Sequence, residues 1–194
     1  MYTLFISTFD KYIQIALLKD NEVLTHEIKE SLNSHSVHTM PMIKEILENN
    51  KLTPKDLKGI EVVNGPGSFT GVRIGVTIAK TLAFTLNIPI KTISSLEAYS
   101  ISTKGDKKLI TLKDIKGVYY GLFDKDNQLL EPLNYLSNKD FADFVKANNY
   151  QNIIINPEIK LNIKNIHLYL KDKKAINPHY VKPLYIKKIE VEKW

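Results

Sequence analysis

The chain has 194 residues and no cysteine, which excludes disulfides, thiolate zinc sites and thiol nucleophiles in one step. Its 27 basic against 21 acidic residues leave a formal charge of +6, which fits a nucleic-acid partner or, equally, a lysine-rich composition throughout. The length suits one large domain or two small ones, and no apolar run reaches membrane-spanning length without a charge, since 72–90 contains Arg73 and Lys80.

The opening MYTLFIST has no basic region and starts directly as a strand, so a cytoplasmic protein without a signal peptide is expected. Residues 3–8, 12–19 and 22–29 have the alternation and β-branched content of strands. Phe9-Asp10-Lys11 and Asp20-Asn21 supply the two tight turns, so the fold opens as an antiparallel meander. Residues 34–50 follow as a helix capped by Ser34 or Ser36, with Pro41 early enough to be tolerated. Its apolar stripe is Val37, Met40, Ile43 and Leu47, broadened by Met42 and Ile46.

A short apolar strand at 59–64 is broken by Asn64-Gly65-Pro66-Gly67, after which Ser68 or Thr70 caps a second helix. Gly71, Gly75, Ala79 and Ala83 recur four apart on that helix, a small stripe that invites the close approach of another helix. The chain uses arginine once, at Arg73 in the first turn, where the helix dipole disfavours a cation; an anionic or carbonyl partner for its fork is expected. A strand at 88–93 and a short helix to Ser102, capped by Ser94 or Ser95 with Glu97 in its first turn, complete a β-α-β-α-β run. Polar 103–108 reads as a boundary between a lobe at 1–104 and a smaller lobe at 105–194. In the second lobe, 109–113, 117–124 and 128–135 read as strands, with a hairpin turn at 125–127, then a helix at 138–148 and a strand at 151–156. From Pro157 onward the periodicity is too weak to assign elements.

The loop pattern G-x-G-x-x-x-G is neither a dinucleotide fingerprint nor a Walker loop, although Gly65, Gly67, Ser68 and Thr70 sit where a helix N-terminus attracts anions. His35 and His38 lie three apart without a third ligand, so no metal site is assigned. Asp10 occupies the first turn, where actin-like ATPases carry an aspartate near the phosphates, and it serves equally as a turn residue. Tyr180, Tyr185 and Trp194 among lysines suit either base stacking or packing, and packing is the expectation. No catalytic set emerges from the residues.

At Gly65-Pro66-Gly67-Ser68-Phe69-Thr70-Gly71-Val72-Arg73-Ile74-Gly75, followed by Ala79-Lys80, the sequence resembles the TsaB (YeaZ) family of bacterial proteins that help make threonylcarbamoyladenosine beside the tRNA anticodon. Four further pieces agree in order: His35-Ser36 with Met40-Pro41-Met42-Ile43, Ser94-Ser95-Leu96-Glu97-Ala98, Gly117-Val118-Tyr119, and Pro183-Leu184-Tyr185-Ile186. The resemblance implies an α/β fold of the actin/Hsp70/acetate-kinase class, two ribonuclease-H-like lobes with the second reduced. It implies a non-catalytic subunit that pairs with TsaD, the metal-bearing paralogue, while the ATPase TsaE docks on the pair and tRNA is met through the complex. ATP and a metal ion then belong to the partner subunits, with no cofactor of its own and a homodimer as the state without a partner. The expected pairing surface joins the first two helices: His35, Val37, Met40, Ile43, Leu47, Gly71, Arg73, Gly75, Ala79 and Ala83.

The family usually opens with I-D-T-S, where this chain has Ile6-Ser7-Thr8-Phe9, and its D-x-R-x-x-E-V-Y is shortened to Asp114-Ile115-Lys116-Gly117-Val118-Tyr119. Both departures suit an adaptor better than an enzyme. An autonomous ATPase or small-molecule kinase of the same fold, and an independent tRNA-binding module, are the competing readings.

Overall fold

The computed structural model describes residues 1–32, 34–156 and 160–187. Strands β1 (Tyr2–Ser7), β2 (Tyr12–Lys19) and β3 (Glu22–Glu30) form the expected antiparallel meander, with Ile6 opposite Ile15 and Leu17 opposite Thr25. Strands β4 (Leu57–Val63) and β5 (Ile90–Ile93) then add in parallel beside β1, giving the order β3-β2-β1-β4-β5. Three antiparallel strands continued by parallel ones make a ribonuclease-H-like lobe. Parallel neighbours need crossovers, and α1 (His35–Asn49) and α2 (Phe69–Leu86) supply them.

Alternate residues of β3 show how the sheet is covered. Thr25 accepts a hydrogen bond from Asn50 just after α1, whereas its neighbour His26 senses Lys160 on the other face. Helix α3 (Ser95–Ser102) is capped by Ser94, the first of the two expected candidates, in a capping box with Glu97, Oγ of Ser94 accepting from the Glu97 amide at 3.1 Å. Helix α5 (Ile163–Lys171) was invisible to the sequence reading. Its nine residues are few, yet Asn162 caps it and Ile163, Ile166, His167 and Leu170 fall at the i, i+3, i+4, i+7 positions of a buried face.

The second lobe repeats the plan in short form. Strands β6 (Lys107–Lys113), β7 (Gly117–Asp124) and β8 (Asn134–Ser137) run antiparallel, and β9 (Ile154–Ile155) joins β6 in parallel, with order β8-β7-β6-β9. This is the first sheet's order without a fifth strand, and α4 (Asn138–Ala147) fills the crossover. Two expected strands shrink here. The 128–135 stretch forms a strand only from Asn134 onward, because Gln128–Leu133 loops out around Pro132, bonding to β7 through Gln128 and Leu130 and bridging to it at Leu129. In 151–156, Gln151–Ile153 coil into a 3₁₀ turn and leave two residues of strand.

The main core joins Ile110 and Phe123 to the first sheet's apolar residues, and a smaller separate core of Leu109, Tyr120, Leu122 and Val145 belongs to the second lobe. Lys108 is buried at the junction of the lobes. Its Nζ donates to the Ser100 carbonyl at 2.9 Å and to Asn127 Oδ1 at 2.5 Å, placing a cation at the negative end of α3.

Helix α5 is fastened to the sheet by a second buried pair, His167 Nδ1 to Glu61 Oε1 at 2.8 Å. That hydrogen bond holds the imidazole's pKa above its ordinary value; burial and Lys91 oppose it, and the Asp20 carbonyl assists. A histidine raised on folding adds stability that is complete below pH about 6.5 and fades as pH climbs through the folded pKa. Glu61→Gln is therefore expected to destabilise the protein by roughly 2 kcal/mol near pH 6. The difference from the parent should shrink steadily toward pH 9 in urea titrations; a pH-independent difference refutes the charged pair.

Candidate functional site

Helix α2 approaches the β1–β2 turn so closely that its glycines are obligatory. Thr8 Oγ1 donates to the Gly71 carbonyl at 2.7 Å in a fully buried contact. A Cβ on Gly71 would collide with the Thr8 carbonyl, and one on Gly75 with the Thr8 hydroxyl. Ahead of the helix, Gly65 and Gly67 take φ of 104° and 153°, in the region that favours glycine, and a Cβ on Gly67 would strike the Phe9 carbonyl.

The loop is tied on every side. Ser68 N–H donates to the Phe9 carbonyl at 2.7 Å, Ser95 N–H to the Gly65 carbonyl at 2.8 Å, and Ser95 Oγ to the Pro66 carbonyl at 2.6 Å. Ser68 caps α2 by accepting from the Gly71 amide at 3.2 Å. The Ser68 and Gly71 amides have partners within the chain. Thr70 stands exposed on the first turn.

The loop forms the floor of a cleft of about 1580 Å³ between the lobes, with Asp10 and Lys11 on one wall and Lys113, Asp114, Tyr135 and Lys187 on the other. Asp10 Oδ1 accepts from the Tyr12 amide and Oδ2 from the Tyr99 hydroxyl, both at 2.8 Å, while burial pushes its carboxyl upward. His35 is buried, and its Nε2 meets the Asp10 carbonyl at 2.8 Å. His35 thus fixes the turn from inside. Among the described residues no three His, Cys, Asp or Glu side chains gather for a metal ion.

A C-terminal strap crosses the loop. Leu184 N–H donates to the Asn64 carbonyl at 2.7 Å, and Asn64 Nδ2 donates to the Lys182 carbonyl at 3.2 Å. Among the described residues the fork of Arg73 finds neither an anion nor a carbonyl. Its guanidinium stacks 3.7 Å above the Phe69 ring, and Nε donates to the Tyr185 hydroxyl at 2.9 Å. Farther along, Lys187 bridges to Asp114 at 3.3 Å and lies over the Tyr135 ring.

The residues expected to pair with a partner divide sharply. Ile43, Leu47, Gly71, Gly75, Ala79 and Ala83, like His35, are buried within the chain, so the small stripe packs on its own sheet and turn. Val37 and Met40 belong to a separate, outward face, at 64% and 44% exposure, and Arg73 is exposed. The outward side of α2 presents Thr70, Thr77 and Thr81 with half-buried Ile74 and Ile78. The sequence reading missed this face because threonine is counted as polar. Helical spacing alone could have found it: 70, 74, 77, 78 and 81 fall on one side and carry no charge. Helix α2 is long and apolar enough to cross a bilayer, but its buried side lies on the sheet.

Residues 22–114 match the family model described as TsaD, tRNA N6-adenosine threonylcarbamoyltransferase. The chain is 40% identical over 149 residues to the tRNA threonylcarbamoyladenosine biosynthesis protein TsaB of Bacillus subtilis, spanning 75% of this chain and 65% of that one. It is 30% identical over 199 residues to a Mycoplasma pneumoniae protein named "Uncharacterized protein MG208 homolog", spanning 96% and 95% of the two chains. The fold superimposes on YeaZ from Pseudomonas aeruginosa with a TM-score of 0.79 at 17% identity, over 95% of this chain and 100% of that one. In sequence the chain is similar to TsaB proteins, and in fold to YeaZ.

Matches to the TsaB proteins of Bacillus subtilis and a Buchnera strain span 65% and 48% of those relatives' length, less than two thirds of each. At the position where the family usually has aspartate, Ser7 is fully buried, and its Oγ has no hydrogen-bond partner among the described residues. It is sealed beneath the turn and offers nothing to the cleft.

The internal role of the small stripe carries a direct consequence. Gly75→Leu is expected to destabilise the isolated chain by about 3 kcal/mol or more through overpacking against Thr8. Chemical denaturation of that variant checks it; an unchanged midpoint would mean that α2 does not approach the turn this closely.

Proposed function

We propose that the chain is a non-catalytic subunit that pairs with TsaD in threonylcarbamoyl transfer to the tRNA adenosine beside the anticodon. The observation that carries this reading is the uncharged outer face of α2, Thr70, Ile74, Thr77, Ile78 and Thr81, continued on α1 by exposed Val37 and Met40. A flat face with apolar side chains and no charge to keep it solvated is a surface for a partner helix. Threonine and isoleucine suit it better than a glycine groove does, because they project beyond the backbone and interdigitate.

Several features of the cleft favour an adaptor over an enzyme. The Ser68 and Gly71 amides are held internally, the strap lies across Asn64, and Ser7 stands where the resemblance implies an aspartate. The chain then has no cofactor of its own, and ATP and a metal ion reside on TsaD and TsaE. The reading carries with it a cytoplasmic location, contact with tRNA through the complex, and a homodimer through the same face when TsaD is absent. Asp10 on the cleft wall is the one observation that favours the alternative, an autonomous ATPase or small-molecule kinase. Nucleotide hydrolysis by the isolated chain that disappears in Asp10→Asn would establish it.

The decisive test mixes the purified chain with TsaD and TsaE from the same genome and assays transfer to tRNA, each component alone serving as control. Transfer only in the mixture supports the adaptor reading, and transfer by this chain alone overturns it. Thr77→Glu places an unpaired charge at the centre of the face, with an expected loss in pairing of at least roughly 100-fold and no change in the unfolding midpoint. Unchanged pairing by sedimentation would move the interface elsewhere.

A further inference from the structure

Four aromatic side chains are exposed among the described residues, and all four lie on one ridge: Phe69, Phe84, Tyr180 and Tyr185. Helix α2 contributes Phe69 and Phe84, with Arg73 and Lys80 between them. Steps of 4, 11 and 15 residues from Phe69 return to within about 60° of it around a helix, so these four share a side and span about 22 Å. The C-terminal segment runs antiparallel beside them. His179 meets Phe84 edge-on at 4.8 Å, Lys80 Nζ reaches the His179 carbonyl at 3.4 Å, and Tyr185 sits 6.0 Å from Phe69. Tyr180, which the sequence reading assigned to packing, is 74% exposed; Trp194 lies outside the described residues.

Among the described residues the charge on the ridge is of one sign. Neither α2 nor the stretch from Lys173 to Lys187 contains an aspartate or glutamate, although the chain has 21 of them. Arg73, Lys80 and exposed Lys182 stand between and beside the aromatic rings. Lysine abundance alone does not produce this, because it leaves acidic residues interspersed and places no aromatics. A protein partner of the uncharged face would also have little use for a one-signed rim.

We propose that this ridge binds single-stranded RNA, unpaired bases stacking on the exposed rings and phosphates lying along the cations. It sits about 100° around α2 from the uncharged outer face, so RNA and a partner subunit occupy adjacent, separate surfaces. The proposal rests on the transfer-complex reading only in taking the RNA to be that complex's tRNA; binding itself belongs to this chain.

The test is fluorescence anisotropy of the full chain with a labelled, unpaired RNA 12-mer and, as a control, the same strand fully paired. The unpaired strand should bind more tightly, with log K falling against log salt at a slope of about −2 for three cations. Phe84→Leu and Tyr180→Leu should each weaken binding roughly 5- to 100-fold, while Phe84→Tyr retains it, and all three should unfold at the parent's midpoint. Lys44→Ala, remote on α1, should leave binding unchanged. Absence of saturable binding, equal affinity for the paired strand, or equal loss in Lys44→Ala overturns the proposal. Ridge variants that lose the partner subunit but keep RNA assign the ridge to protein and also overturn it. Failure of RNA binding with intact transfer in the mixture would leave the adaptor reading standing, and RNA binding without transfer would do the reverse.

Discussion

Everything in this molecule hangs on the contact between the start of α2 and the β1–β2 turn. Gly71 and Gly75 bring the helix backbone against Thr8, the Thr8 hydroxyl closes a buried hydrogen bond on the Gly71 carbonyl, and Gly67 lets Ser68 reach the Phe9 carbonyl. A methyl group at any of the three positions forces the helix off the sheet. Because the helix is pinned there, its axial rotation is fixed, and with it the side chains it turns outward. The uncharged face and the aromatic ridge are consequences of that one close approach.

The same contact changes what the glycine pattern means. G-x-G-x-x-x-G looks like a phosphate loop, since both need backbone brought near something. Here the neighbour is the chain's own turn, and the Ser68 and Gly71 amides are bonded within the chain. A close-packed loop and a ligand loop differ only in what lies opposite. That information is tertiary.

Much of the fold was nonetheless legible. The meander of β1–β3, the helices α1 and α2 and the capping box of α3 are each signalled by local chemistry: alternation, Gly-Pro punctuation and Ser-x-x-Glu spacing. The second lobe was harder, since its strands are two to eight residues long and β9 depends wholly on pairing with β6. The candidate surface was half legible. Periodicity located the helices that carry it but joined Val37, Met40, Ile43 and Leu47 into one stripe on α1, whereas Ile43 and Leu47 pack inward and Val37 and Met40 turn outward. The partners of the solitary arginine are Phe69 and Tyr185, rings separated by more than a hundred residues in sequence, rather than the anion or carbonyl its position suggests.

The two lobes are fastened at both ends of their cleft, and this bears on what kind of machine the fold can be. At the back, Lys108 ties α3 to the β6–β7 hairpin, and Gln14 Oε1 accepts from the Leu161 amide at 3.2 Å. At the front, the strap bonds to Asn64 and reaches Asp114 through Lys187. A hinged ATPase needs its lobes to swing as nucleotide enters and leaves, and each of these bonds joins elements that such a swing would separate. Buried Lys108 is the most restrictive, because opening the junction would strip a cation of its carbonyl partners before water could replace them. A rigid body that presents a fixed face on α2 gains nothing from such motion. On the proposed reading, these bonds serve to hold one surface still.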